Sequence, residues 1–146
     1  MSEVLVEKMK VVLASSFAFA LKAQNFHWNV EGPNFLQYHE LFAKVYEEVF
    51  DAVDAIAEEI RTLDAYAPGS FVRFQQLSVI ADETTIPPAL SMVAKLEEDN
   101  KKIIAALTDA YQAAETLKVV GLSNFLQDRI DIHFKHGWML KATMKA

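Results

Sequence analysis

His27, His39, His133 and His136 are the only imidazoles in a chain of 146 residues that has no cysteine. Without thiolates a metal centre has to be built from imidazole and carboxylate, and neither a disulfide framework nor cysteine catalysis is open to the chain. A single histidine in a helical protein is ordinarily a hydrogen-bonded structural residue. Two that spacing brings together say more. His27 and His39 are equidistant from Pro33, which follows Gly32 in a turn-forming dipeptide. Positions equidistant from the turn of an antiparallel hairpin lie side by side, so the two rings are expected at one level on adjacent helices. Further on, Glu47, Asp51, Asp54 and Glu58 succeed one another at intervals of four, three and four, which places all of them on one helix face. Asp54 and Glu58 are one turn apart and can converge on one ion, and imidazole with carboxylate suits Fe, Mn or Zn. For Glu47 and Asp51 the simpler reading, a solvated stripe, holds.

The elements that must position these groups are legible from periodicity. Leu5, Met9, Val12, Ser16, Phe19, Ala23 and Phe26 recur at alternating steps of four and three, the stripe of an amphipathic helix that stops at Gly32-Pro33. A second stripe, Tyr38, Phe42, Val45, Val49, Val53, Ile56, Ile60 and Leu63, is ended by Pro68-Gly69. Phe71 to Ile80, behind Ser70 as an N-cap, reads as a short helix within a long connection. Pro87-Pro88 opens a third long helix marked by Leu90, Val93, Leu96, Asn100, Ile103, Leu107, Ala110 and Ala114. After Gly121 and a Ser123 cap, a fourth runs through Leu126, Ile130, His133 and Gly137 to Leu140. Connections that are short, long and short make two antiparallel hairpins joined by one crossover. The expectation is an all-α, ferritin-like four-helix bundle, a single domain over residues 1–146, whose long crossover contains a short extra helix.

Composition narrows the function classes. Hydrophobic residues make up 52% of the chain, with only four glycines and four prolines, so a folded domain is expected rather than a disordered or low-complexity one. The longest apolar stretch, Val11 to Leu21, is interrupted by Ser15 and Ser16 and is far short of the roughly 20 residues that span a bilayer. Glu3 and Glu7 stand where a secretory leader would be basic, so the chain reads as cytoplasmic, with no membrane partner. A net charge of -6 argues against a dedicated nucleic-acid binder. The charge is uneven: nine of the 20 acids lie between Glu31 and Asp64, and none follows Asp131, where Lys135, Lys141 and Lys145 close the chain.

The usual bundle-core di-iron site takes a Glu from each of two helices and Glu-x-x-His from each of the other two. Gln24, Leu36, Ile130 and His133 stand three residues before the four histidines, so that site is absent. Nor can His39 and Asp54 share an ion within one chain, because fifteen residues of helix separate them by about 22 Å at 1.5 Å per residue. One resolution is a two-fold partner. If two second helices pack antiparallel about a dyad, the histidine pair of one chain meets Asp54 and Glu58 of the other, giving two equivalent sites per dimer.

The segment Asn25-Phe26-His27-Trp28-Asn29-Val30, His39 twelve residues on, Asp54-Ala55-Ile56-Ala57-Glu58-Glu59-Ile60-Arg61 and Lys135-His136-Gly137-Trp138-Met139-Leu140-Lys141 together closely resemble the Dps family, the mini-ferritins. The resemblance covers essentially the whole chain. It implies a homo-oligomer of twelve subunits around a hollow interior, with ferroxidase sites at the two-fold interfaces. Such shells oxidise Fe(II), usually preferring hydrogen peroxide to oxygen, store ferric mineral inside and protect against oxidative damage. By this resemblance His27 and His39 are iron ligands from one subunit, and Asp54 and Glu58 are ligands from the other. Trp28 is either the family's aromatic beside the iron or a packed core indole. Trp138 and Met139 read as packing residues, and His133 and His136 as structural ones.

Two departures bear on what the resemblance implies. Many members carry a carboxylate one turn after the second histidine, where this chain has Ala43, so the site is expected to hold one iron or, more weakly, two. DNA-binding members commonly use a Lys-rich flexible tail, whereas the residues before the first helix stripe are few and include Glu3 and Glu7, which speaks against direct DNA binding. The competing function is a DNA-compacting architectural protein in which iron oxidation is secondary.

Overall fold

The computed structural model describes residues 2–146. Five helices follow in order: α1 (Ser2–Asn29), α2 (Phe35–Thr62), α3 (Phe71–Leu77), α4 (Ala89–Thr116) and α5 (Val120–Met144). Among the described residues there is no strand. The four long helices make an all-α, ferritin-like bundle in which α1 pairs with α2 and α4 with α5, while the crossover carries α3.

α1 is the most enclosed element because it packs against α2, α3 and α4 together. Its expected stripe of Leu5, Met9, Val12, Ser16, Phe19, Ala23 and Phe26 is buried, and Leu13, Ala14 and Ala20 widen it. α2 meets it with Phe42, Val45, Val49, Ile56 and Ile60, and the second hairpin closes the core with residues such as Leu96, Leu107, Leu126 and Leu140. Each large apolar side chain removed from water contributes about 1.5–3 kcal/mol. The tight α1–α2 turn needs a left-handed backbone at Gly32, φ +101°, and again at Asn34, φ 65°, which is the residue before the first turn of α2. Glycine takes such angles without steric cost, and asparagine tolerates them.

Helix ends differ from expectation in three places. α2 stops at Thr62, well before Pro68-Gly69, because Asp64 turns left-handed at φ 63°. The Asp64 amide then donates to Arg61 O at 3.0 Å, and the Ala65 amide to Ile60 O at 3.4 Å. α4 closes identically through Lys118, φ 58°, with Lys118 N to Glu115 O at 3.1 Å and Val119 N to Ala114 O at 3.0 Å. These are Schellman closures with Asp and Lys in the place glycine usually takes. α5 consequently begins at Val120, and Ser123 is a buried residue inside it rather than its cap. α3 is capped by Ser70, whose hydroxyl accepts from Arg73 N at 3.3 Å, but it ends at Leu77 rather than Ile80. The Val79 amide is taken by the Ser15 hydroxyl at 3.0 Å and the Ile80 amide by the Ser78 hydroxyl at 2.9 Å, so neither is free to continue the helix.

The same connection is pinned to α1 once more. Lys22 donates to Ala81 O at 2.9 Å while forming a buried ion pair with Asp99 of α4 at 2.8 Å. Among the described residues no helix is long and apolar enough to cross a membrane.

Candidate metal centre

His27 lies in the last turns of α1 and His39 in the second turn of α2, and the hairpin brings them face to face. Their rings stack with centroids 3.8 Å apart and planes 15° from parallel. His27 Nδ1–H donates to the backbone carbonyl of His39 at 2.7 Å, and His39 Nδ1–H donates to the carbonyl of His27 at 2.7 Å. A carbonyl oxygen only accepts, so Nδ1 carries a proton in both rings, and in the neutral form of each it is Nε2 that offers the lone pair. This is how metal-ligating histidines are commonly oriented, with the second ring nitrogen tied to an oxygen. Phe35 stacks beside His39 at 5.0 Å and Tyr46 lies beside His27 at 5.2 Å, so the pair sits between two aromatic rings and is half-buried.

Asp54 and Glu58 occupy successive turns of α2, and both are exposed. Among the described residues neither carboxylate has a hydrogen-bond or ion-pair partner within the chain. Glu47 and Asp51 are exposed as well. The structure brings the two histidines together and leaves the two acids apart from them, Asp54 by about 22 Å along the helix at 1.5 Å per residue and Glu58 one turn farther. Within one chain, no three of His, Cys, Asp and Glu among the described residues are placed to hold a metal ion. Trp28, next to His27, is 61% exposed, so it is not a core indole. Trp138, expected to pack, is 69% exposed. Ala43, one turn after His39, is half-buried and brings no donor.

A second polar centre, unread from the sequence, lies between α2, α4 and α5. The Glu48 carboxylate receives the Arg129 guanidinium, through Nη1 to Oε2 and through Nη2 to Oε1 at 3.2 Å. It also receives His136 Nε2–H at 2.8 Å. Arg129 Nη2 donates onward to His133 Nε2 at 3.2 Å, and His133 Nδ1–H donates to Asn100 Oδ1 at 2.8 Å. Asn100 Nδ2 in turn donates to the His133 carbonyl at 2.8 Å, and a Cβ on Gly137 would stand 3.0 Å from that amide nitrogen. Burial pushes the Glu48 carboxyl up, but hydrogen bonds from His136 and Arg129 outweigh it and hold the group at about 2. Burial, reinforced by the Arg129 charge, pushes His133 down to about 3, in keeping with a neutral ring that accepts from the guanidinium. His133 and His136 are buried and structural, as expected. The signal that could have shown the cluster is the spacing of Arg129, His133 and His136, four and then three apart on one face of α5.

Residues 6–146 match the family model described as a ferritin-like domain. The crystal structure of antigen TpF1 from Treponema pallidum superposes with a TM-score of 0.93 at 30% identity, over 97% of this chain and 92% of that one. A Dps protein from Bacillus brevis superposes with a TM-score of 0.94 at 25% identity, over 98% and 96%. A Dps protein from Vibrio cholerae, described as a member of a broad superfamily of ferritin-like diiron-carboxylate proteins, gives 0.94 at 26% identity, over 99% and 91%. Fold, domain match and these likenesses agree that the chain belongs to the ferritin-like family and, within it, to the Dps mini-ferritins.

Proposed function

We propose that the protein is a ferroxidase and iron store, a closed homo-oligomer, by family a dodecamer, in which two copies complete each oxidation site. Fe(II) is the substrate. His27 and His39 of one copy present two Nε2 lone pairs, and Asp54 and Glu58 of a second copy add carboxylates across a two-fold axis. The observation that carries the reading is the reciprocal histidine arrangement: each ring is tied through Nδ1 to the other residue's backbone carbonyl, which leaves Nε2 as the nitrogen available to a metal, and among the described residues no acid of their own chain is placed to share a metal with them. Bare imidazoles and unpaired exposed acids are incomplete halves of one donor set, and two-fold symmetry joins them twice per dimer.

Neutral imidazoles and ionised carboxylates bind Fe(II), and the negative charge favours the Fe(III) product. When two nearby Fe(II) ions, the second held more weakly, each give one electron to the same hydrogen peroxide, its O–O bond breaks and two protons complete two waters, so no hydroxyl radical is released. With Ala43 in place of a further carboxylate, one iron per site is the expected tight stoichiometry. Ferric product then accumulates as mineral in the interior of the shell.

The test is an anaerobic Fe(II) titration, followed by separate additions of oxygen and hydrogen peroxide and read as ferric absorbance. The reading requires saturable Fe(II) binding and a faster ferric rise with peroxide than Fe(II) shows in buffer. Oxidation no faster than in buffer with either oxidant would remove it.

A further inference from the structure

We infer that Arg129 is a built-in cation occupying a potential metal position at the centre of the bundle, and that its guanidinium keeps that position closed to transition metals. The inference rests on the buried cluster alone and does not depend on the iron chemistry proposed above.

The donors around the guanidinium are those of a divalent metal site: the Glu48 carboxylate, the His133 Nε2 lone pair, and His136, whose Nε2 lies 2.8 Å from Glu48 Oε1 and becomes a donor once its proton moves to the unpartnered Nδ1. Two imidazoles and one carboxylate form a donor set that proteins use for non-haem iron and zinc. His133 has the orienting bond such a ligand needs, because its Nδ1–H is fixed on Asn100 Oδ1 at 2.8 Å. Gly137 leaves room for that asparagine, since a Cβ there would meet its amide nitrogen at 3.0 Å. The site is therefore supported from two helices beyond the one that carries the histidines.

What fills it is Arg129. Nη2 stands 3.2 Å from both His133 Nε2 and Glu48 Oε1, so one nitrogen occupies the point on which two of the donors converge. A metal at that point would need each of these two donors to move inward by about 1 Å to reach ligand distances near 2.1 Å. As the chain stands, no three of its described donors are close enough to hold an ion, in keeping with a guanidinium standing between them. The same guanidinium engages both carboxylate oxygens and the His133 Nε2 lone pair, and its positive charge repels any incoming cation. Metal and Arg129 are alternative occupants. With Arg129 in place, the bundle core is sealed against redox metals.

The test uses the full chain with the surface donors removed, His27→Ala, His39→Ala, Asp54→Ala and Glu58→Ala, so that Co(II) reports on the core. With Arg129 present, Co(II) should leave the NMR signals of His133 and His136 unshifted. Adding Arg129→Ala should create one site per chain, binding Co(II) at least roughly a thousandfold more tightly than before, a lower bound set by the repulsion of two unit charges about 4 Å apart. Cobalt d–d absorption should appear together with paramagnetically shifted histidine signals. A further Glu48→Gln should abolish both. If Arg129→Ala unfolds the chain, Co(II) should restore its helical circular dichroism. Co(II) reaching His133 or His136 with Arg129 in place overturns the inference. So does an Arg129→Ala chain that folds but gains no site, or one that Co(II) does not refold.

Discussion

His27 and His39 orient one another through their backbones: each Nδ1–H donates to the other residue's carbonyl at 2.7 Å. The acceptors are main-chain oxygens, so either side chain can be removed without taking away the bond that holds the other. His39→Ala should therefore leave the His27 ring in place and remove one metal donor. Fe(II) oxidation should fall by at least about a hundredfold, no less than second-shell losses usually cost. Helical circular dichroism should be nearly unchanged, because Phe26 and Phe42, the buried pair across the same hairpin, remain. Stopped-flow ferric absorbance beside circular dichroism tests this, and joint loss of helix and activity would make His39 a structural residue. Asp54→Ala should behave alike, since its carboxylate is exposed and outside the core.

The left-handed closures make a prediction about stability. Lys118 holds φ at 58° and Asp64 at 63°, each in a Schellman closure. An L side chain in that region costs roughly 1–2 kcal/mol, part of which glycine returns as extra freedom of the unfolded chain. Lys118→Gly should stabilise the fold by about 0.5–1 kcal/mol, and Asp64→Gly by less, because aspartate tolerates this region better. Urea denaturation midpoints should rise in that order. A lower midpoint for Lys118→Gly would show that its side chain has a stabilising role outweighing the backbone strain.

These closures also show where the sequence was legible and where it was not. Periodicity revealed the four long helices, because each buries a stripe whose step is set by helix geometry alone. It misplaced their ends, because Pro68-Gly69 and Gly121 are conventional stops while Asp64 and Lys118 are not. The histidine pair was legible because hairpin symmetry about Pro33 is a property of spacing. The Glu48 cluster was not, since Glu48, Asn100 and Arg129 come from three helices, and each alone looks like one more polar residue on a helix. Only packing reveals that they meet. Trp138 failed as a packing residue, and the core-indole alternative for Trp28 fell, for the opposite reason: an aromatic side chain carries no mark of whether its own chain covers it.

The buried cluster should make the protein acid-labile in a defined window. His133 is held neutral in the fold, its value pushed from the ordinary 6.5 down to about 3 by burial and by Arg129. The unfolded chain therefore binds a proton that the folded chain refuses between those values, and stability is lost as pH falls from about 6.5 toward 3. Glu48, held at about 2 instead of 4.5 by its partners against the effect of burial, adds a loss as pH falls below 4.5. Thermal melts should be nearly level above pH 6.5 and decline below it. His133→Gln should be less stable at pH 7 but flatter between pH 6.5 and 4.5, where Glu48 contributes little. An unchanged slope in that variant would mean that other groups set the acid limit.

Shared ownership of the oxidation site predicts complementation. One variant carries His27→Ala and His39→Ala, the other Asp54→Ala and Glu58→Ala, and neither alone can assemble a complete donor set across a two-fold axis. When the two are dissociated, mixed equally and reassembled, about half of the dyads pair unlike chains. In each of these, one site takes intact histidines from one chain and intact acids from the other, while its symmetry mate loses all four donors. Activity should therefore return to roughly a quarter of wild type if sites act independently. Ligands contained within one chain would give no complete site in any mixture, because every chain lacks half of its own set. That alternative already requires an ion to reach across about 22 Å of helix, at 1.5 Å per residue. Native mass spectrometry establishes that mixed shells have formed. Recovery near zero in shells shown to be mixed would refute the division of ligands between two copies, even if the wild type oxidises Fe(II) rapidly.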